Sequence, residues 1–302
     1  MVQGFALRVP AKINLILHVG DRRADGYHPI FSLMQQVALF DRLGFARSPR
    51  DVTLSVVGAP LSAGPDNLVL RAARALRAEC GRASRAGARL TLEKYIPIAA
   101  GLGGGSGDAA AALVGLNRLW GLDLSRGDLA VVARGLGSDV PFFLGGPTAW
   151  VEGVGEHVTT TGLDGPHWAV LVNPGIAVAT AWTYRELDRR RARDRSSLEL
   201  TSSRILNTIN SVAKPVIPLA RLIPLLHNDL EPIASATHSV VGVIRHRLMK
   251  AGAVASMMSG SGPTVFGLFT DARSARNAVG QLRRCEPSWG VWPARLLRRA
   301  VF

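Results

Sequence analysis

A glycine-dense segment in the first half of the chain has the residue types that a phosphate site needs. Residues 97–112 read PIAAGLGGGSGDAAAA, with five glycines from Gly101 to Gly107. Glycine has no side chain, so backbone N–H groups in such a loop can approach an anion closely. The run from Ala109 to Trp120 predicts a helix whose positive N-terminal end faces the same point. Ser106 adds a hydroxyl for a phosphate oxygen or a metal ion, and the segment therefore predicts a phosphate-binding loop.

The spacing in this loop differs from the common nucleotide motifs. No Gly-Lys-Ser/Thr follows it, a helix rather than a hairpin comes after it, and the G-x-G-x-x-G spacing is not met. A flexible linker or a tight strand-to-helix turn is the alternative interpretation, which the glycine density makes less favourable. A second Gly/Ser loop, 258–263, indicates either a hairpin turn or a further wall of the same phosphate site.

Two polar residues interrupt the apolar N-terminal strand pattern. Lys12 and Asn14 fall on the face opposite Ile13 and Leu15, and a charge inside such a strand needs a partner or a chemical role. Taken singly, Lys12 is also typical of a surface lysine, and Asp139 of a helix cap. Both interpretations stay open at this point.

A short polar segment, Arg22–Pro29, carries an aromatic residue and a histidine. It predicts either a recognition turn or an ordinary exposed turn in which Tyr27 covers the core. None of the seven histidines has metal-ligand spacing to another, so we expect no structural metal.

Strands and helices must position these residues, and their pattern is mixed. We predict two strands around Pro10, and a helix over 67–80 with Asp66 as its N-cap. Further strands are expected at 52–57, 89–95, 151–161, 168–172 and 291–297. Further helices are expected at 109–120, 228–249 and 271–284, and a short helix is expected to open at 137–141. Residues 255–270 are predicted to form a strand, a loop and a second strand. Strict strand–helix alternation is missing, which favours an α+β class. We expect a boundary near residue 155, dividing the chain into 1–155 and 156–302.

Bulk composition limits the class of protein. The 302 residues, 47% of them apolar, suffice for two domains. Cys80 and Cys285 are the only cysteines, which argues against a disulfide framework or a cysteine zinc site. No apolar run has the length of a signal peptide or a membrane span, so we expect a cytoplasmic protein without a membrane anchor.

The net charge of +14 comes almost entirely from arginine, with 32 Arg against 4 Lys. Such a charge suits nucleic acid or polyanionic small substrates, or it reflects codon usage alone. The densest arginine run is Arg189, Arg190, Arg191, Arg193 and Arg195. Because no aromatic residues interleave it, we predict a solvated helix end or loop rather than a nucleic-acid groove.

Together these segments resemble the GHMP-superfamily kinases. In chain order they are PAKINLILHV from Pro10, RRADGYH from Arg22, DNLVLRAARAL from Asp66, PIAAGLGGGSGDAAA from Pro97, GSDVPFFLGG from Gly137, HNDLEP from His227 and MSGSGPTVFG from Met258. The two glycine loops are typical of the superfamily. PAKINL, ADGYH and GSDVPFF together indicate the branch whose acceptor is a cytidyl diphosphate ester of methylerythritol.

The resemblance implies a fold and a reaction. The N-terminal domain would be like domain 2 of ribosomal protein S5 and the C-terminal domain ferredoxin-like, with the active site in the cleft between them. ATP would donate a phosphoryl group to the 2-hydroxyl of 4-diphosphocytidyl-2-C-methyl-D-erythritol, in non-mevalonate isoprenoid precursor biosynthesis. Mg²⁺ would assist. The only partner would be this small molecule, without membrane or nucleic acid, and the chain would be a monomer or homodimer.

The resemblance also implies residue roles. Asp139 would be the catalytic base and Lys12 its charged neighbour, while Asn14 and Thr180 would line the acceptor site. Tyr27 and Tyr184 would sandwich the cytosine, and His28 would bond its edge. Asn67, Leu68 and Lys94 would meet the adenine end of ATP, and Ser106 would be the protein contact of Mg²⁺. The phosphates would be held by Pro97, Ile98, Ala99, Ala100, Gly101, Leu102, Gly103, Gly104, Gly105, Ser106 and Gly107.

Two rival functions remain open. Another kinase of the superfamily, acting on mevalonate, homoserine or a sugar, is disfavoured by the ADGYH segment, because those substrates have no base to stack. A basic S5-like RNA-binding protein would suit the charge of +14, but it would leave Lys12, Asp139 and the glycine loop without a role.

Overall fold

A 19-residue strand, β2 (Ile30–Ser48), is the centre of the larger of two sheets. The structure is a computed structural model that describes residues 4–80, 86–164, 168–193 and 215–302. The other strands are β1 (Phe5–Val19), β3 (Val52–Val57), β4 (Gly87–Glu93), β5 (Thr148–Gly153), β6 (His157–Asp164), β7 (Trp168–Asn173), β8 (Val216–Pro218), β9 (His227–Asn228), β10 (Ala255–Met258), β11 (Val265–Phe269) and β12 (Gly290–Arg295).

The helices are α1 (Leu68–Cys80), α2 (Gly104–Trp120), α3 (Arg126–Arg134), α4 (Val140–Leu144), α5 (Thr180–Arg193), α6 (Leu219–Leu222), α7 (Glu231–Thr237), α8 (Val240–Lys250) and α9 (Ala272–Cys285), with a 3-10 turn at Ile223–Leu225. None of the helices in the described ranges combines the length and the hydropathy that a membrane span requires.

The two sheets form the two inner layers of a four-layer arrangement. The larger sheet has the order β3-β4-β2-β5-β6-β8, and β1 pairs with β2 and with β9. The smaller sheet has the order β10-β11-β7-β12. Helices α1 to α4 pack on one face of the larger sheet, its other face packs on the smaller sheet, and α7, α8 and α9 cover the far side. The α+β class is confirmed.

Strand β1 changes its buried face at Pro10, and this change positions Lys12. Val9 packs with the helices of the first core, whereas Ala11 and Ile13 pack between the two sheets. The pairing with β2 shifts between Pro10 and Ala11, at a residue that has no N–H to donate to a ladder. We predicted two strands around Pro10, and this was wrong, because the strand continues through the irregularity.

Several local predictions need correction. Asn67, not Asp66, caps α1, since its Oδ1 accepts from the Val69 N–H at 3.0 Å. The strand predicted over 151–161 is two strands, β5 and β6, joined by a turn with Gly155 at φ 109°. The helix predicted over 228–249 is likewise two helices, α7 and α8, with a break at His238 and Ser239.

The arginine run lies at the end of α5, a helix that no sequence pattern predicted. Arg189, Arg190 and Arg193 are exposed, as expected for a solvated helix end. Arg191 is buried, because its guanidinium donates to the Val19 and Gly20 carbonyls. Arg195 lies outside the described residues. The division into 1–155 and 156–302 stays a prediction; β6, which follows residue 155, pairs with β5 in the larger sheet.

Candidate active site

Lys12 and Asp139 form an ion pair at the inner end of a cleft. The Lys12 Nζ lies 3.2 Å from Asp139 Oδ2 and donates to Asn14 Oδ1 at 2.7 Å. Lys12 is buried, whereas the Asp139 side chain keeps 25% of its accessible surface. Asp139 precedes α4, but its side chain makes no capping hydrogen bond. Its carboxylate is therefore directed at the ammonium and open to the cleft.

The glycine loop passes directly over Lys12. The Lys12 N–H donates to the Leu102 carbonyl at 2.9 Å. A Cβ on Gly103 would lie 2.8 Å from Lys12 Cγ and 3.0 Å from Phe143 Cζ. Gly103 has φ 68°, and it caps α2 without any side-chain hydrogen bond. The first N–H groups of α2 thus remain available to an anion at the positive end of a 17-residue helix.

The second Gly/Ser loop closes against the first. Ser259 Oγ donates to the Gly101 carbonyl at 2.9 Å, and a Cβ on Gly101 would lie 2.1 Å from the Ser259 carbonyl oxygen. Gly260 is also close, since a Cβ there would lie 3.4 Å from Lys12 Nζ. Only glycines permit this approach of two backbones around one ammonium.

Aromatic residues line the other end of the cleft. The His28 and Tyr184 rings lie 5.1 Å apart at 44°, and His28 Nε2 contacts Asp188 Oδ1 at 2.7 Å. Tyr27 is 64% exposed and borders the same space. Burial, with additional effects of the Asp139 and Asp229 carboxylates, raises the pKa of the Tyr184 phenol. Tyr184 is therefore a neutral ring in the cavity that the Lys12–Asp139 pair also lines.

One cavity of about 840 Å³ contains most of the predicted site residues. It is lined by Lys12, Asn14, Tyr27, His28, Leu68, Lys94, Pro97, Ile98, Ala99, Ala100, Gly101, Leu102, Gly103, Gly104, Gly105, Ser106, Asp139, Thr180 and Tyr184. Two predicted residues do not line it: Asn67 caps α1, and Gly107 is packed so that a Cβ would lie 2.9 Å from Val9 Cγ1. Thr180 Oγ1 contacts Ser261 Oγ at 2.8 Å, which joins the second loop to α5.

Lys94 belongs to a buried group of charges beside the start of α2. Its ammonium pairs with Asp41, and with Asp108 Oδ2 at 2.8 Å. Burial lowers the pKa of Lys94, but the Asp108 and Asp41 carboxylates outweigh burial and raise it overall. Burial raises the pKa of the Asp108 carboxyl to about 7. The Lys94 ammonium is thus largely committed to these two carboxyls, although its side chain borders the cavity.

Several residues that shape this site were not predicted from the sequence. Arg22, Arg185 and Asp188 line the cavity, and Asp41 holds the N–H groups of Tyr95 and Ile96. Arg22 was identifiable, because it stands inside the RRADGYH segment. No sequence signal distinguishes Arg185 from the other arginines, since its role depends on the position of α5.

Histidines that are distant in the sequence meet at the end of β1. The candidate ligand atoms of His18, His227 and Asp229 lie within 4.8 Å of one another. The two imidazole rings are stacked, with centroids 4.6 Å apart, and the Arg191 guanidinium lies 3.4 Å from Asp229 Oδ2. The spacing of histidines along the chain does not reveal this group, because tertiary folding assembles it.

Comparison with known proteins gives a consistent result. Residues 67–146 match the model of the GHMP kinases N terminal domain, and residues 213–287 match the GHMP kinases C terminal model. A 4-diphosphocytidyl-2-C-methyl-D-erythritol kinase of Syntrophotalea carbinolica is 43% identical over 90% of this chain and 92% of its own length. The enzyme of that name from Geobacter metallireducens is 42% identical over 98% of this chain and 100% of its own.

Solved structures agree in fold. A crystal structure of 4-(cytidine 5'-diphospho)-2C-methyl-D-erythritol kinase superposes with a TM-score of 0.75 at 33% identity, covering 97% of this chain and 99% of that one. A homoserine kinase from Cytophaga hutchinsonii superposes with a TM-score of 0.78 at 17% identity, over 99% of this chain and 97% of that one. At that identity the second match shows the shared fold alone.

Proposed function

We propose that this chain, which belongs to the 4-diphosphocytidyl-2-C-methyl-D-erythritol kinases of the GHMP kinase family, transfers the γ-phosphoryl group of ATP to the 2-hydroxyl of 4-diphosphocytidyl-2-C-methyl-D-erythritol. It is an ATP-dependent small-molecule kinase. The observation that carries the acceptor assignment is the position of the Lys12–Asp139 pair. Lys12 contacts the glycine loop, and Asp139 lines the same cavity as Tyr27 and Tyr184.

The donor end of the cavity suits the phosphates of ATP. Phosphoryl transfer depends mainly on positioning and on stabilising the charge of the transferring group. The loop amides and the start of α2 would hold the β- and γ-phosphates, and the Lys12 ammonium would offset negative charge on the γ-phosphoryl oxygens. Leu68 and Lys94 line the cavity and would contact the adenine end of ATP. Asn67 would act indirectly, by capping the helix that Leu68 begins.

Asp139 would act on the acceptor hydroxyl. As the new bond forms between that oxygen and the γ-phosphorus, the bond to the β–γ bridging oxygen of ATP breaks and ADP leaves. The proton of the acceptor hydroxyl passes to the Asp139 carboxylate. In a loose transition state little proton transfer precedes bond breaking, so the main contribution of Asp139 would be to orient the hydroxyl, while Lys12 and Asn14 hold the carboxylate and the acceptor in place.

Magnesium fits the donor set beside the glycine loop. Ser106 lies half-buried in the first turn of α2, and a hydroxyl with phosphate oxygens and water is a typical magnesium environment. Asp108 is already engaged by Lys94, so Ser106 would be the protein contact. When bound, the ion would supply positive charge to the phosphate oxygens.

The acceptor end would recognise cytosine by stacking between Tyr27 and Tyr184. His28 is held through Nε2 by Asp188, and its Nδ1 would bond the edge of the base. Thr180 and Asn14 would contact the methylerythritol portion. We further propose a cytoplasmic enzyme that is a monomer or homodimer, with this small molecule as its partner.

A phosphorylation assay with ATP and Mg²⁺ across several acceptors tests the function. We expect ADP release with the cytidyl substrate and none with mevalonate, homoserine or a simple sugar. Turnover of one of those acceptors instead would favour another GHMP kinase. Absence of turnover together with an RNA affinity that falls steeply with salt would favour the RNA-binding alternative.

A further inference from the structure

The segment His227–Glu231 contains β9 and the first residue of α7, and it has no role in the chemistry described above. It pairs in parallel with the end of β1, with Ile16 opposite His227 and Leu17 opposite Asn228. The Asp229 N–H continues the ladder by donating to the Leu17 carbonyl at 3.0 Å. Successive side chains of an extended segment point to opposite sides. The side chains of Asn228 and Asp229 therefore contact different parts of the structure.

Asn228 holds the second Gly/Ser loop. It is buried, and its Nδ2 donates to the Met258 carbonyl at 2.9 Å and the Gly260 carbonyl at 2.8 Å. Its Oδ1 accepts from the Leu230 N–H at 2.9 Å. Glu231 Oε2 adds a bond from the Met258 N–H at 2.7 Å. Both Nδ2 hydrogens are thus engaged with the loop that closes over Lys12.

Asp229 bonds the elements that would form the acceptor side of the cavity. Its Oδ2 accepts from the Val19 N–H at 2.8 Å and lies 3.4 Å from Arg191 Nη2. The same guanidinium donates to the Val19 carbonyl at 2.7 Å and the Gly20 carbonyl at 3.1 Å. Arg191 belongs to α5, which carries Tyr184, whereas Val19 and Gly20 lead into the turn that carries Tyr27. The Asp229–Arg191 pair therefore connects the elements bearing both tyrosines.

We propose that residues 227–231 and Arg191 form a positioning centre in which Asn228 sets the donor loop and Asp229, through Arg191, sets the two aromatic walls of the acceptor pocket. This inference rests on the proposed function and deepens it. It gives a role to the HNDLEP segment and to one buried member of the arginine run. The planar guanidinium of arginine can donate hydrogen bonds in fixed directions to two carbonyls and a carboxylate, and a lysine ammonium cannot reproduce this geometry.

A cation at His18, His227 and Asp229 is the competing interpretation of this region. The guanidinium of Arg191 already places a positive charge beside Asp229. A nitrogen lone pair lies in the plane of its ring, and the planes of the two stacked rings are inclined at only 24°, so a single ion does not easily lie in both planes. Both features disfavour a metal ion, and the positioning role accounts for the same contacts.

Two conservative substitutions test the two halves separately. Arg191→Lys keeps the positive charge but loses the planar set of guanidinium donors. Arg189→Lys is its matched control on the exposed face of the same helix. Asn228→Asp places an oxygen against two carbonyls. Asn117→Asp is its control, since the Asn117 side chain bonds the Leu124 backbone and Asn117 is not among the residues that line the cavity. The measurements are KM for each substrate, kcat, and calorimetric affinity for cytidine diphosphate and for a non-hydrolysable ATP analogue.

We expect Arg191→Lys to weaken cytidine diphosphate binding by about tenfold, with the ATP analogue changed by less than about twofold. Asn228→Asp should weaken the ATP analogue by about tenfold and leave cytidine diphosphate nearly unchanged. Both control variants should match wild type. If either test variant fails to melt cooperatively, Arg191→Gln and Asn228→Ser are measured in the same way.

Equal changes in both affinities for each test variant, in an enzyme whose wild type is active, would overturn the inference alone. An unchanged pair of affinities would overturn it as well. A wild-type chain that neither binds cytidine diphosphate nor phosphorylates the cytidyl substrate would instead overturn the proposed function. Zinc titration of the wild type, expected to show no stoichiometric binding, checks the competing interpretation, and tight binding lost in His227→Ala would overturn the positioning role.

Discussion

The Lys12 ammonium lies 3.2 Å from the Asp139 carboxylate, although the two residues belong to a strand and a helix in different parts of the chain. The same ammonium bonds Asn14 and lies beneath the glycine loop. It therefore connects the glycine loop with the Asp139 carboxylate.

Asp139→Asn should lower kcat by roughly 10²–10⁴-fold, as removal of a general base usually does. KM for both substrates should change little, because the amide keeps the shape of the carboxylate. Steady-state kinetics measure the effect, and a thermal melt checks that the variant is folded. Wild-type turnover in this variant would remove Asp139 from the mechanism.

Tyr27→Ala should raise KM for the cytidyl substrate by a factor corresponding to about 1–3 kcal/mol, the usual contribution of an aromatic face to base stacking. KM for ATP should stay close to wild type. Tyr95→Ala is a matched control, because Tyr95 is similarly exposed, at 61%. Equal changes for both substrates would argue against a cytosine-stacking role.

Gly103→Ala and Gly121→Ala separate backbone strain from contact with Lys12. Both glycines flank α2 with nearly equal φ values, 68° and 66°, so each alanine should cost about 1–2 kcal/mol for the left-handed backbone. A Cβ at Gly103 would also press on Lys12 and Phe143, whereas at Gly121 nothing lies within 4 Å.

Only Gly103→Ala should therefore lower kcat, by about tenfold or more, since displacement of positioned groups strongly affects turnover. Urea unfolding and steady-state kinetics of the two variants give the comparison. Equal loss of activity in both would show that strain in α2, rather than displacement of Lys12, limits turnover.

Asp108 should make stability depend on pH. Burial raises the pKa of its carboxyl from 3.8 to about 7, so between those values the folded chain keeps a proton that the unfolded chain has released. The free energy of unfolding contributed by this group is then fully present below about pH 4 and falls as pH rises toward about 7.

Asp108→Asn cannot titrate, so the stability of wild type relative to this variant should decrease across that window. Urea unfolding at several pH values measures the difference, with Asp66→Asn as an exposed control. A difference that increases with pH would mean that the ion pair with Lys94 keeps Asp108 charged.

Local patterns were sufficient for much of the fold. The helices over 67–80, 109–120 and 271–284 were predicted because apolar spacing and capping residues act within one turn, and the structure has them as α1, α2 and α9. The 19-residue β2 and α5 were not predicted. β2 pairs with three other strands, and α5 is oriented by Arg191, so both depend on contacts that are distant in the sequence.

Residue types and short spacing by themselves determined the family and predicted the phosphate loop and the aromatic acceptor segment, because those features depend on glycine flexibility and on adjacent residues. Only the tertiary structure decided that Lys12 meets Asp139, that Lys94 is held by Asp41 and Asp108, and that one arginine of an apparently solvated run is buried between α5 and β1. The physical reason is the same in each case. A buried charge needs partners to offset its lost hydration, and the partners come from other elements that only folding brings within hydrogen-bonding distance.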